Sequence, residues 1–140
     1  MTYIDTSVLA AYYCPEKLSS KIQKKLAGLD AAVISPLVEL ELASAVAMKI
    51  RERELTTTDG NRILSLLKVH LADGLYRIVP IGSREYTLAS GWVSSFSTPL
   101  RTLDALHLAA AFANELTLLT ADRALAKSAE HFGVSCEIIR

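Results

Sequence analysis

Apolar residues in this chain fall into short unbroken runs separated by longer stretches of helical spacing. That alternation is the primary signal of its secondary structure. The opening Met1-Thr2-Tyr3-Ile4 reads as a buried strand ending at Asp5. Ser7 to Tyr13 continues as a brief helix stopped by Pro15. Over 16–28, Leu18, Ile22, Leu26 and Leu29 recur at helical spacing among Lys21, Lys24 and Lys25, with Gly28 as a stop. Ala31 to Ile34 is the next strand. Ser35-Pro36 then sets an N-cap with proline at the first helical position, opening a helix to about Arg53. Thr56 to Asp59 open another, carried by Leu64, Leu67 and Leu71 to about Ala72, ahead of Gly74. Tyr76 to Ile81 reads as a strand. Residues 83–96 read as a helix weakened at Gly91, and 97–99 as a loop. Thr102 is the expected cap of a helix to about Asn114. A strand over 116–120, a helix over 122–132 and a strand over 134–139 complete the pattern.

Strands alternating with helices predict an α/β fold with a mostly parallel central sheet covered on both faces. At 140 residues the chain is expected to form one domain over 1–140. Ligand sites of such sheets lie beyond the carboxyl ends of the strands. Four acids fall at element ends near that edge. Asp5 and Asp122 follow predicted strands, while Glu41 and Asp104 lie in the first turns of predicted helices. Each is embedded in an apolar stretch, where a carboxylate is costly without a partner. Four carboxylates gathered by a fold repel one another and call for a hard divalent cation. Oxygen-only ligands suit Mg2+ or Mn2+.

Each acid also has a plainer reading. Asp5 and Asp122 could cap the helices that follow them. Asp104 stands two residues after Thr102 on a helix otherwise built of Leu, Ala and Phe, where a carboxylate has few structural uses. Glu39 competes with Glu41, but two residues turn a helix by ~200°, so only one can face a given site. Glu41 shares a stripe with Leu37, Ala45 and Met48, expected to face inward; Glu39 is expected to face solvent. Thr6, Ser7 and Thr120 are hydroxyls that could support the acids or simply close turns. His107, one turn after Asp104, reads as a hydrogen-bonded core histidine rather than a base. His70 and His131 read as surface residues. Arg101 and Arg123, next to two of the acids in sequence, are candidates for phosphate contact.

The acidic motifs carry a resemblance. Asp5-Thr6-Ser7-Val8-Leu9 looks like the opening of a PIN-domain ribonuclease. Ser35-x-Leu37-x-x-x-Glu41-Leu42 is similar to the family's second acidic motif, and that spacing also selects Glu41 over Glu39. The segment from Leu103 to Ala111, with Asp104, resembles the third. Leu119-Thr120-Ala121-Asp122-Arg123-x-Leu125 resembles the fourth. Order and size resemble the small VapC-type toxins of type II toxin–antitoxin systems, over essentially the whole chain. The resemblance implies a PIN-like three-layer α/β/α sandwich. It further implies a metal-dependent endoribonuclease with Asp5, Glu41, Asp104 and Asp122 as catalytic metal ligands. It also implies a homodimer, and a cognate VapB-type antitoxin whose tail occupies the active groove. The helices over 16–28 and 56–72 are the expected contact surfaces for that antitoxin.

Composition trims the alternatives. Fifteen basic residues balance fifteen acidic ones, which argues against a general polyelectrolyte binder and leaves local patches to attract nucleic acid. Cys14 and Cys136 are isolated, so they read as reduced thiols of a cytoplasmic protein and not as zinc ligands. No run approaches the ~20 apolar residues of a membrane span, and no secretory signal is evident. A phosphoryl-transfer enzyme with an aspartyl nucleophile at Asp5 would place a second aspartate two residues on, where this chain has Ser7; a receiver-type domain would pair acids at the first strand, where Asp5 stands alone. The remaining alternative is a catalytically silent PIN-like binding module, whose expected mark is a missing acid; all four are present.

Overall fold

The computed structural model describes residues 1–140. Five short strands form one parallel sheet: β1 (Thr2–Ile4), β2 (Ala32–Ile34), β3 (Tyr76–Ile78), β4 (Thr117–Thr120) and β5 (Cys136–Ile138). Their order across the sheet is β3-β2-β1-β4-β5. Thr2 of β1 stands between Ala32 of β2 and Thr117 of β4. Seven helices connect the strands: α1 (Thr6–Tyr13), α2 (Ser19–Ala27), α3 (Pro36–Arg51), α4 (Thr57–Ala72), α5 (Ser83–Val93), α6 (Thr102–Ala113) and α7 (Arg123–His131).

The chain steps from β1 to β2 to β3 in one direction, returns across the sheet to β4, and continues to β5 in the other. Right-handed crossovers then put α1 to α4 on one face and α5 to α7 on the other, giving three layers. Packing agrees: α1 meets α3, α3 meets α4, and α5 lies along α6. The Trp92 ring of α5 stacks on Phe132 just beyond α7 and meets Phe112 of α6 edge-on. The reversal of strand order falls between β1 and β4. In open parallel sheets that is the topological switch point, where loops diverge and leave a crevice.

The core explains why the central strands read as continuous apolar runs. Tyr3, Ile4, Val33, Ile34, Leu118 and Leu119 are fully buried, as expected for strands covered on both faces. In α6 every residue from Ala105 to Ala111 is buried, which requires neighbours all round the helix. Small side chains let these neighbours come close.

Several boundaries differ from expectation for local reasons. α2 starts at Ser19, three residues late, because the Ser19 hydroxyl donates to the Ala11 carbonyl and accepts the Glu16 N–H, folding 16–18 into a turn. β3 stops at Ile78 because Pro80 has no N–H to continue the ladder. Arg101, not Thr102, occupies the N-cap position of α6, and it makes no side-chain cap bond. Ser35 does hold the N-cap position of α3, but its hydroxyl bonds the Tyr3 phenol at 2.8 Å and does not cap. The buried stripe of α3 is Val38, Leu42 and Val46, one residue out of phase with the expected Leu37, Glu41, Ala45 and Met48 stripe. Met48 is exposed, and Glu41 lies at the half-buried margin. Glu39 is exposed, as expected. His131 is exposed too, whereas His70 is half-buried and its Nδ1 meets the Tyr13 hydroxyl at 2.6 Å. That hydroxyl also contacts Tyr76 at 2.7 Å, whose own phenol is pushed up to about 12, chiefly by burial.

Two glycines separate packing from propensity. A Cβ on Gly60 would lie 2.7 Å from Ile50 Cδ1 and 3.0 Å from Val46 Cγ1, so the approach of α4 to α3 depends on it. Gly91 of α5 has nothing within 4 Å. Gly60→Val is expected to destabilise by about 1–3 kcal/mol through overpacking. Gly91→Ala is expected to stabilise by roughly 0.5–1 kcal/mol. Urea midpoints of both variants check the contrast; equal shifts would contradict the packing.

Candidate active site

The four sequence-selected acids come to one region, around the crevice between β1 and β4. Asp5 leaves β1 and N-caps α1. Asp122 leaves β4 by way of Thr120 and Ala121 and N-caps α7. Glu41 is the sixth residue of α3, and Asp104 the third of α6. A depression of about 580 Å3 is lined by Glu41, Asp104 and Asp122, with Arg101 on its wall. Asp5 forms no part of that lining. It lies beneath, only 3% exposed.

Asp5 is held from several sides. Its Oδ1 accepts the Ser7 hydroxyl at 2.6 Å and the Val8 N–H at 3.1 Å, while Oδ2 accepts the Thr120 hydroxyl. Ser7 Oγ also accepts the Ala121 N–H at 2.9 Å, and Thr120 Oγ1 accepts the Asp122 N–H at 3.0 Å. The capping and site readings of Asp5 therefore coexist, and the Ser7 and Thr120 hydroxyls do more than close their own turns. Burial pushes the Asp5 carboxyl above its ordinary value, against the opposing hydrogen bonds of Ser7 and Thr120. Oδ1 has both lone-pair positions used; Oδ2 keeps one.

Glu41 is held by a second network. Its Oε1 accepts the Thr6 hydroxyl at 2.7 Å and is bonded to His107 Nε2. His107 is 2% exposed, and its Nδ1 meets the Tyr3 phenol at 2.8 Å. A carboxylate can only accept, so Nε2 carries the hydrogen toward Glu41, while Nδ1 meets the Tyr3 phenol, which in turn meets Ser35 Oγ. The resulting chain runs Ser35, Tyr3, His107, Glu41 and joins α3 with its N-cap, β1 and α6, and no buried side-chain polar atom in the protein lacks a partner. Burial raises the Glu41 carboxyl, but the bond and charge of His107 and the Thr6 hydroxyl outweigh it and hold the group below its ordinary value. The Tyr3 phenol is raised, chiefly by burial. Sequence reasoning placed His107 correctly as a hydrogen-bonded core residue but missed its partner. Asp104 and His107 are three residues apart and share a helix face, which puts His107 beside the acids but does not single out Glu41.

Asp104 registers the other acids most clearly. Burial raises its carboxyl first; the charges of Asp122, Glu41 and Asp5 raise it further, opposed by His107. Asp122 Oδ1 accepts the N–H groups of Ala124 and Leu125, so its capping reading also holds. Glu85, another buried acid, pairs with Arg84 at 3.2 Å within α5 and has no part in this group.

The acids do not converge on one point, contrary to expectation: no three of them, with or without His107, close on a shared position at ligand distance. Like charges and the hydrogen bonds above hold the carboxylates apart around a depression. Mg2+ fits such a setting, because it keeps several waters and binds through one or two carboxylates. The donor set is all oxygen, as a hard cation requires. Of the two arginines read as candidates for phosphate contact, Arg101 lines the acidic depression and Arg123 an adjoining cavity.

A parallel sheet in the order 3-2-1-4-5, with acids at the switch point, defines an α/β protein with a polyanionic pocket. Residues 2–130 match the PIN domain model, and the chain belongs to the PIN domain family. Among curated proteins, none matches the chain. Solved structures share the fold at low identity. FitAcB from Neisseria gonorrhoeae is 20% identical over 97% of this chain and 96% of its own, with a TM-score of 0.71. VapBC2 from Rickettsia felis, bound to a DNA fragment from its promoter, is 17% identical over 99% and 98%, TM-score 0.71. VapC20 of Mycobacterium tuberculosis, a Sarcin-Ricin loop cleaving toxin, is 14% identical over 91% and 95%, TM-score 0.73.

The charge on Asp104 has a measurable cost. A carboxyl raised in the fold gives its full stability below the unfolded value near ~3.9 and loses it as pH rises through the folded value. Asp104→Asn in chelator at neutral pH should therefore raise Tm, by roughly 2–4 °C. The gain should fade as pH falls through the raised folded value and be gone below about 4. A lower Tm at neutral pH would show that the carboxylate supports the fold.

Proposed function

We propose that the protein is a metal-dependent endoribonuclease, the toxin of a VapBC-type toxin–antitoxin module. The observation that carries this reading is the Asp104 carboxyl, raised by burial and by the charges of Asp122, Glu41 and Asp5 around one depression at the switch point. Perturbed carboxyls in a cleft mark functional sites. A fold gains nothing from gathering them unless a cation is to be held there. Family membership and the folds of the VapC and FitB-type neighbours support the same reading.

Asp5, Glu41, Asp104 and Asp122 would hold Mg2+ or Mn2+, with Asp5 offering the free position on Oδ2. The bound ion would supply an activated water and charge relief for phosphodiester hydrolysis. The chain's own residues set the geometry. Thr6 and His107 fix Glu41; Ser7 and Thr120 fix Asp5; Asp122 is anchored by the α7 backbone. Arg101 stands where it can meet a phosphate oxygen. The protein acts in the cytoplasm as one domain, pairs into a homodimer, and is restrained by a VapB-type antitoxin. Leu66 and Val69 on α4 expose apolar surface for such a partner, in the helix expected from the sequence. The isolated thiols, Cys14 and Cys136, suit a reducing compartment. No helix is long and apolar enough to cross a membrane.

Purified protein is expected to cut single-stranded RNA with magnesium or manganese and to stop in chelator. Equal cleavage in both conditions would remove the metal from the mechanism.

Glu41 and Glu39 provide an internal comparison. Losing a group that merely supports a metal ligand costs about 10–100-fold. Glu41→Gln should therefore lower cleavage by more than about 100-fold and weaken manganese binding. Glu39→Gln should leave both close to the parent. A dead Glu39→Gln with an active Glu41→Gln would move the site to the other side of α3.

A further inference from the structure

A second cavity, of about 780 Å3, is larger than the acidic one. It lies between α7 and β5, at the open edge of the sheet. Arg123 and Lys127 reach it from α7, and Arg140 from the end of β5. Arg123 and Lys127 are four residues apart and share one helix face. Glu130 is the single acid of the lining. None of the three cations is in an ion pair, although Lys25 of α2, on the other face of the sheet, pairs with Glu137 of β5 at 2.6 Å. In a chain of zero net charge, three unpaired cations around one hollow are a local concentration. The floor is apolar, with Val134, Cys136 and Ile138. The Cys136 thiol is pushed up to about 11, first by burial and then by the charges of Asp5 and Glu137, so it stays uncharged and feels the neighbouring site.

The cationic cavity and the acidic depression adjoin. Ala124 lines both, and a short side chain at that position leaves a low wall between them. The α7 N-terminus itself is not available to an anion, since the Asp122 carboxylate already takes the Ala124 and Leu125 N–H groups. Any anion in this cavity must be met by side chains.

We propose that the α7–β5 cavity is a separate binding subsite for single-stranded RNA, holding a phosphate and one nucleotide face next to the phosphodiester being cut. The inference rests on the nuclease reading for the chemistry at the acids. The arrangement addresses a difficulty of that reading, because four carboxylates repel an RNA backbone. Three cations one wall away give the strand an anchor that the acidic pocket cannot provide. Arginine forks match phosphate oxygens bidentately, and the apolar floor offers a surface for a base or ribose. The volume falls within the ~300–1,000 Å3 typical of pockets that enclose small ligands.

The test measures binding apart from cleavage. Full-length protein carrying Asp104→Asn is titrated, in magnesium buffer, against a short fluorescent single-stranded oligoribonucleotide, and anisotropy is followed at several salt concentrations. Lys127→Ala should raise Kd by roughly 3–10-fold, and Arg123→Ala with Lys127→Ala by more than about 10-fold. The slope of log K against log salt should fall by about 0.7 for each phosphate contact removed. Lys127→Arg should restore binding, and Lys68→Ala on α4 should leave it unchanged. Unchanged Kd and slope in the double variant would overturn the proposal. So would a parent protein that binds no RNA, or one that binds an acidic peptide through these cations in place of RNA. RNA binding lost with the cations, in a protein that never cleaves with either metal, would uphold the subsite and sink the nuclease reading. Cleavage with a KM indifferent to Arg123 and Lys127 would do the reverse.

Discussion

Everything at the carboxyl edge of the sheet is arranged around one buried carboxylate. Asp5 is 3% exposed in the middle of the molecule, and a carboxyl group there is tolerable only when hydrogen bonds offset its burial. Those bonds come from both sides of the switch point. Ser7 and Val8 belong to the first turn of α1, and Thr120 to the end of β4. Satisfying Asp5 thus ties the β1–α1 turn to the β4–α7 turn, residues more than a hundred positions apart in the chain. Ser7 and Thr120 each accept a backbone N–H of the second turn as well, which sets the path of the chain toward Asp122. One carboxylate therefore fixes where another emerges.

The two networks differ in their electrostatic result, and the difference follows from their donors. Hydroxyls and a single N–H offset the burial of Asp5 only partly, so its carboxyl stays raised. Glu41 is less buried and has an imidazole as partner, so it lies on the low side. Neighbouring carboxylates with opposite shifts make a site of unequal basicity. Asp104, facing the sum of the other charges, is the group most responsive to a cation. That asymmetry comes from placing an apolar helix, α6, between the sheet and α5, so that Asp104 and His107 leave the same face at different depths.

The fold and the four acids were legible in the sequence because both depend on local signals. Buried parallel strands read as unbroken apolar runs, and caps and prolines mark helix starts. Acids at those ends stand out because their surroundings are apolar. The relation between distant residues was not legible. Nothing in sequence order shows that Tyr3 joins Ser35 to His107, or that Thr6 reaches Glu41 across 35 positions. The phase of α3 was misjudged for a related reason. Leu37, Glu41, Ala45 and Met48 form a stripe, but Val38, Leu42 and Val46 form a better-buried one that only the approach of α1 and α4 selects. Arg123 follows Asp122 directly in sequence, and only the structure shows that one step along α7 turns it into the adjoining cavity.

Trp92 is the single tryptophan of the chain. Its indole stacks on Phe132 at a centroid separation of 5.3 Å and meets Phe112 at 5.8 Å, so it touches the far ends of both helices that carry Asp104 and Asp122 at their near ends. The protein thus holds one indole, separable by its red-edge excitation from the five tyrosines, seated where α5, α6 and α7 join. Helices move largely as rods, and a tilt of α7 or α6 at the pocket shifts its opposite end against the indole. Emission from this one residue is a built-in optical gauge of how the walls of the acidic pocket are set.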